Sequence, residues 1–174
     1  IMAASRALSA KGEQGEVALA ALRSGDTDAA EAVFQRDLKD AKHAAAKERE
    51  RAAESARHLA ALARPHDTGK AAEYYAEAAE LDPANAQNGI DLAETSLATG
   101  DQPTAAEAYE KAVVLARKGS ASPEQRVWAF EGSADIEWNA GRPEVAAHLY
   151  GQAANAAREA AQAALDAAKD FLGI

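Results

Sequence analysis

The side chains able to do chemistry in this chain are its four histidines, its many carboxylates and its two tryptophans. A metal site needs imidazoles or carboxylates converging on one ion, which helices supply from positions one turn apart. His43, His58, His66 and His148 offer no such spacing. His58 and His66 are eight apart with a predicted corner near His66, and no His-Glu-x-x-His occurs. His66 is expected at a turn and His58 at a helix-packing position. Glu131 and Asp135 share a helix face at i, i+4. General acid-base work would need two carboxylates in a closed cleft with separated pKa values, and a solvated helix face accounts for them better. There is no phosphate-cradling glycine loop, no Gly-x-Ser-x-Gly and no nucleophile-base arrangement. The absence of cysteine removes disulfides, thiolate metal sites and a cysteine nucleophile. The expectation is a protein that is not an enzyme, with no cofactor and no metal. Trp128 and Trp138 remain, ten residues apart, as side chains that either fill a core or anchor a partner.

The elements that hold these residues follow from composition. Alanine is about 29% of the 174 residues and aromatics are only 5%. Alanine is the best intrinsic helix former, and a chain poor in β-branched and aromatic residues lacks what a pleated surface packs with. The fold class expected is all-α. A formal charge of −9 argues against nucleic acid, whose binders release counterions with Lys and Arg, and against an anionic membrane surface. No stretch reaches 18 consecutive apolar residues, and Ile1-Met2-Ala3-Ala4-Ser5-Arg6 has no apolar signal-peptide core. Opening on Ile before Met, the sequence reads as a fragment of something longer. Its compartment is left open, with the cytoplasm favoured.

Breakers divide the chain regularly. Ser24-Gly25-Asp26, His66-Asp67-Thr68-Gly69, Thr99-Gly100-Asp101 and Ala140-Gly141-Arg142 each separate two helix-period stretches. They read as helix-turn-helix corners, with Asp26, Asp67 and Asp101 placed to accept free N–H groups of the next helix. Pro103, Pro143 and Ser122-Pro123-Glu124 mark helix starts. Gly25, His66, Gly100 and Gly141 stand 41, 34 and 41 residues apart, and the excess of seven is about two helical turns. Five residues past each corner comes Ala30, Ala71, Ala105 or Ala146, and four further on Phe34, Tyr75, Tyr109 or Tyr150. A small residue where helices cross lets backbones approach, and a ring one turn later fills the gap to the next repeat.

This pattern resembles the tetratricopeptide repeat (TPR), a helix-turn-helix unit of 34 residues. The resemblance covers about Gln14 to Arg158 and is most specific from Leu59 through Leu81-Asp82-Pro83 and from Leu92-Ala93 to Leu115. It implies a right-handed TPR-like superhelix of about four helix-turn-helix units plus a C-terminal helix. The organisation expected is an N-terminal extension over 1–13, an array over 14–158 and a capping helix over 159–174. The outer units depart from the family, with Val17-Ala18 and Ser133-Ala134 where a large apolar residue followed by a small one is usual.

The resemblance also implies where a ligand would sit, on the inward surface made by the first helices of successive units. There the last unit carries Trp128, Glu131, Asp135, Trp138 and Asn139, the unit before it Ile90, Glu94 and Leu97, and the second unit Arg57 and Arg64. TPR proteins that clamp the carboxyl terminus of heat-shock chaperones use Lys and Asn on this surface. Ala56, Ala60, Ile90 and Glu94 occupy it here, so the clamp is absent. A groove with acids at one end and arginines at the other suits an extended or helical segment with a basic patch and apolar anchors. The function expected is a non-catalytic protein-protein interaction scaffold whose partner is a protein or peptide, not nucleic acid or membrane.

Residues 28–62 contain no Gly or Pro. Repeat spacing puts a turn at Ala44-Ala45-Ala46-Lys47-Glu48, and a hairpin there buries the faces of both helices. Local sequence favours continuity instead, with Glu48/Arg51, Arg51/Glu54 and Glu54/Arg57 as opposite charges three apart. The hairpin is the expected arrangement. The alternative, one helix of about 35 residues, near 50 Å long, implies exchange of the first repeat between chains. The corresponding functional alternative is an oligomerisation module, a homodimer built by that exchange.

Overall fold

The computed structural model describes residues 12–172. Among them are seven helices and no strand: α1 (Gly12–Arg23), α2 (Thr27–Ala63), α3 (Thr68–Leu81), α4 (Ala86–Thr99), α5 (Gln102–Arg117), α6 (Pro123–Asn139) and α7 (Pro143–Leu172). The extension expected over 1–13 lies outside the described residues except for Gly12 and Glu13, which open α1. The chain forms two compact units, one ending at Arg49 and one beginning at Glu50.

In the first unit α1 buries Ala18 and Leu19, and the start of α2 buries Ala30 with Phe34 half-buried. Gly25 takes the left-handed conformation that ends α1 at φ +81°. Asp26 Oδ1 then accepts the Ala29 N–H at 2.9 Å and opens α2.

The turn expected at Ala44 to Glu48 does not form, because α2 is one helix of 37 residues. The physical reason lies in composition. From Leu38 to Ala52 the apolar side chains are Leu38 and alanines, so a hairpin there would bring little apolar surface together. With nothing to gain from a break, the high helix propensity of Ala, Lys, Glu and Arg decides.

From Glu50 onward, successive hairpins stack. The second part of α2 buries Ala53, Ala56 and Ala60, and Ala53 and Ala56 pack with Ala78 and Leu81 of α3. His58, expected at a packing position, is exposed, whereas Ala56 and Ala60, expected on the ligand surface, are buried; Leu59 and Leu62 are exposed as well. The larger core joins α4 to α7 through Ile90, Ala105, Tyr109, Phe130, Ala146 and Leu149, among others.

Caps set each hairpin. Asp67 accepts the Lys70 N–H at 2.9 Å and Asp101 the Thr104 N–H at 3.2 Å. Ser122 and Gln125 form a reciprocal capping box at the head of α6. Gly100 and Gly141 end their helices with φ near +80° (+82° and +74°), whereas among the described residues only glycines have positive φ and Gly69 is not one of them, so the His66 corner closes without a left-handed residue. The buried Asn88 carboxamide donates to Ala78 O and Asp82 O at 3.2 and 2.9 Å, tying the end of α3 to α4. Helix α7 runs unbroken through position 159, and the stretch expected as a cap is, as far as Leu172, its continuation, exposed apart from half-buried Ala160; residues 173–174 lie outside the described residues.

The small residues permit the stacking. Ala71, Ala105 and Ala146 are fully buried. Gly132 of α6 lies so close to the Tyr109 ring that an added Cβ would sit 2.1 Å from a ring carbon. Helix propensity alone favours Gly132→Ala by about 1 kcal/mol, while overpacking costs about 1–3 kcal/mol. The variant is expected to lose stability, read as a lower urea midpoint. An unchanged or raised midpoint would show that the ring gives way freely.

Candidate functional site

Counting back from each corner glycine puts the groove residues in register. Glu94 and Asp135 each stand six residues before their corner, at Gly100 and Gly141, and Leu97 and Trp138 each stand three before. The first helices α4 and α6 therefore repeat an acid followed one turn later by an apolar side chain. On α6 the positions 128, 131, 135 and 138 advance by three or four residues and line one face. That face is outward. Trp128 is 47% and Trp138 60% exposed, with Glu131, Asp135 and Asn139 exposed beside them, while Ala129, Phe130, Gly132 and Ala134 fill the core behind. Leu97 and Glu94 are exposed on α4. Ile90, expected with them, is 1% exposed and belongs to the core.

Between α4 and α6 lies Tyr109 of α5. Burial, then the Glu94 and Asp135 carboxylates, push its hydroxyl up to about 12. Its ring is 5% exposed, as is that of Tyr75. Tyr75 is also raised, by burial first and then by Asp91, with Arg64 and Arg57 opposing. Tyr150 differs: it is 39% exposed, because no further first helix covers it among the described residues. Its hydroxyl donates to Asp135 Oδ1, and that hydrogen bond is the main cause of its raised pKa.

The arginines are not free. Arg57 Nε donates to Asp91 Oδ2 at 3.1 Å, and Asp91 Oδ1 accepts from Gln87 Nε2 at 2.7 Å. Arg64 Nη2 lies 3.7 Å from Glu94 Oε2. Asp91 was not singled out from sequence, although a signal exists, since it stands nine residues before Gly100 as Arg57 stands nine before His66. Nearby, Arg126 pairs with Glu159 and Arg142 with Glu137. Glu131 and Asp135 have no cationic partner among the described residues.

The arrangement offers contact surface, aromatic faces and carboxylates. A separate cavity of about 380 Å³, lined by Ala76, Pro83, Leu92, Thr104 and Leu115 among others, includes none of the groove residues. No described helix is long and apolar enough to cross a membrane.

No family model matches the sequence, and no curated protein is similar to it in sequence. Among solved structures, the fold is similar to the crystal structure of MamA, a TPR-containing protein, with a TM-score of 0.55 at 16% identity, over 84% of this chain and 97% of that one. The chain thus has a TPR-like helical-repeat fold.

The buried tyrosine gives this site a pH signature. An unfolded tyrosine ionises near 10, whereas Tyr109 holds its proton to about 12. The stability this contributes is whole below about pH 10 and is lost as pH rises from there towards 12. Tyr109→Phe is expected to flatten the alkaline fall of the urea midpoint. An unaltered slope would mean that the hydroxyl is not shielded.

Proposed function

We propose that the protein is a non-catalytic interaction scaffold that binds a peptide or helical segment of another protein across α4 and α6. The observation that carries this reading is the exposure of both tryptophans on one face of a helix whose other face is packed. Indoles are the side chains whose burial contributes most at protein interfaces, and leaving two of them in water exposes apolar area that a partner would cover. In the repeat register Leu97 of α4 matches Trp138, and the proposed surface adds Arg57, Arg64, Glu94 and Asn139 as its charged and polar residues. The likeness to MamA supports the repeat fold; the choice of surface rests on this chain's own residues. Affinity capture with the whole chain should retrieve a partner that Trp128→Ala/Trp138→Ala no longer holds. Each large anchor removed costs about 2 kcal/mol or more at a well-packed interface, so the double loss is expected to abolish capture while helical content stays unchanged. Equal capture by the variant would dismiss this surface.

A second reading, an oligomerisation module, is favoured by the unbroken α2. A first repeat that does not fold back through a turn at 44–48 can seat on a second copy. Multi-angle light scattering then finds a dimer whose mass does not change on dilution, and a monomer at all concentrations would remove this reading.

A further inference from the structure

We infer that the partner segment is cationic, and that Trp128, Glu131, Asp135 and Trp138 recognise its arginine or lysine side chains by sandwiching each cation between an indole face and a carboxylate. This rests on the interaction reading above and adds the chemistry of the ligand. The argument is one of residual charge. Of the acids on the first helices, Asp91 is met by Arg57 and Glu94 by Arg64. Arg126 of α6 and Arg142 just beyond its end are spent on other acids, Glu159 and Glu137. Glu131 and Asp135 are left exposed without a cation, on a chain whose formal charge is −9. Asp135 accepts only the Tyr150 hydroxyl, a neutral donor that leaves its charge in place.

The aromatic spacing fits the same ligand. Trp128 precedes Glu131 by three residues and Trp138 follows Asp135 by three, so each carboxylate has an indole one turn away. A guanidinium is planar and weakly hydrated, stacks on an indole and still presents N–H donors in its plane to a carboxylate. The two indoles are ten residues apart, about 15 Å along the helix, a span covered by four or five residues of extended chain at about 3.3 Å each. The fitting segment carries two cations at that separation, with an apolar residue beside the one at Trp138, the register level that Leu97 shares. An acidic segment is repelled, and an uncharged apolar one leaves both carboxylates desolvated without partners.

The test is selection of peptides from a random displayed library on the whole chain, followed by binding titrations of the selected peptides. Three variants are compared: Trp128→Ala/Trp138→Ala, the shape-preserving Glu131→Gln/Asp135→Asn, and Glu77→Gln/Glu80→Gln, which removes the same charge from α3. The expected peptides are enriched in Arg or Lys. They lose about tenfold or more in affinity in the first two variants, keep it in the third, and weaken with added salt. Cationic peptides that weaken equally in the α3 variant would reveal general attraction to an acidic chain and overturn the inference. Peptides that need the tryptophans but carry no cations would overturn it while leaving the interaction surface standing. Peptides indifferent to α6, or no selected peptides, would count against both.

Discussion

The structure from Glu50 onward depends on how closely successive helices can approach. Where Ala71, Ala105 and Ala146 meet their neighbours nothing larger than a methyl group intervenes, and at Gly132 not even that is tolerated, because the Tyr109 ring lies over the backbone. Interiors packed to crystal-like density leave no room for a methyl group beyond the designed contact. This one contact couples two neighbouring hairpins: Tyr109 belongs to α5 and Gly132 to α6, and the Glu94 and Asp135 carboxylates both act on the ring's hydroxyl.

That coupling explains which parts of the architecture were legible. Corners, caps and knobs are local, written in residue types with narrow roles: a glycine for a left-handed end, an aspartate for free N–H groups, an alanine at a crossing. Asp26, Asp67 and Asp101 all accept the helix-opening N–H that their positions imply. The turn at 44–48 was inferred differently, by extending a period over residues with no turn chemistry of their own. Ala, Lys, Glu and Arg propagate a helix once it is nucleated, and a continuing helix pays no second nucleation cost. The same physics carries α7 to Leu172, where Gln162 donates to Asp166 at 2.8 Å and Lys169 lies 3.7 Å from it, contacts within the helix itself.

Side-chain facing was less legible than element position. A period of 3.6 fixes which residues share a face but not which neighbour that face meets. Ile90 was expected outward from its register and is inward, because α4 is flanked on several sides and buries Ala86, Asn88, Ile90, Ala93, Thr95 and Ser96. His58 shows the reverse. Expected at a helix-packing position, it is exposed, because α2 turns its Ala53, Ala56 and Ala60 stripe to the core. Tryptophan exposure could not be read at all, since either filling a core or meeting a partner suits the same sequence.

Part-exposed ion pairs such as Arg57 with Asp91 or Arg64 with Glu94 contribute only about 0–1 kcal/mol to stability, so they are weak as glue. Their effect is on selectivity. A ligand that would use those four groups must first separate charges already matched, gaining little from the exchange. Glu131 and Asp135 ask no such cost, because no cation pairs with them among the described residues. Two surfaces of similar composition therefore differ in what they offer, one internally neutralised and one open to a cation. At the register position held by Asp91 in α4, α6 has Gly132, where the absence of a side chain makes room for the Tyr109 ring. The cations that pair with α4 come from the helix before it, Arg57 of α2 and Arg64 just past its end, whereas α4 itself carries no Lys or Arg to offer α6.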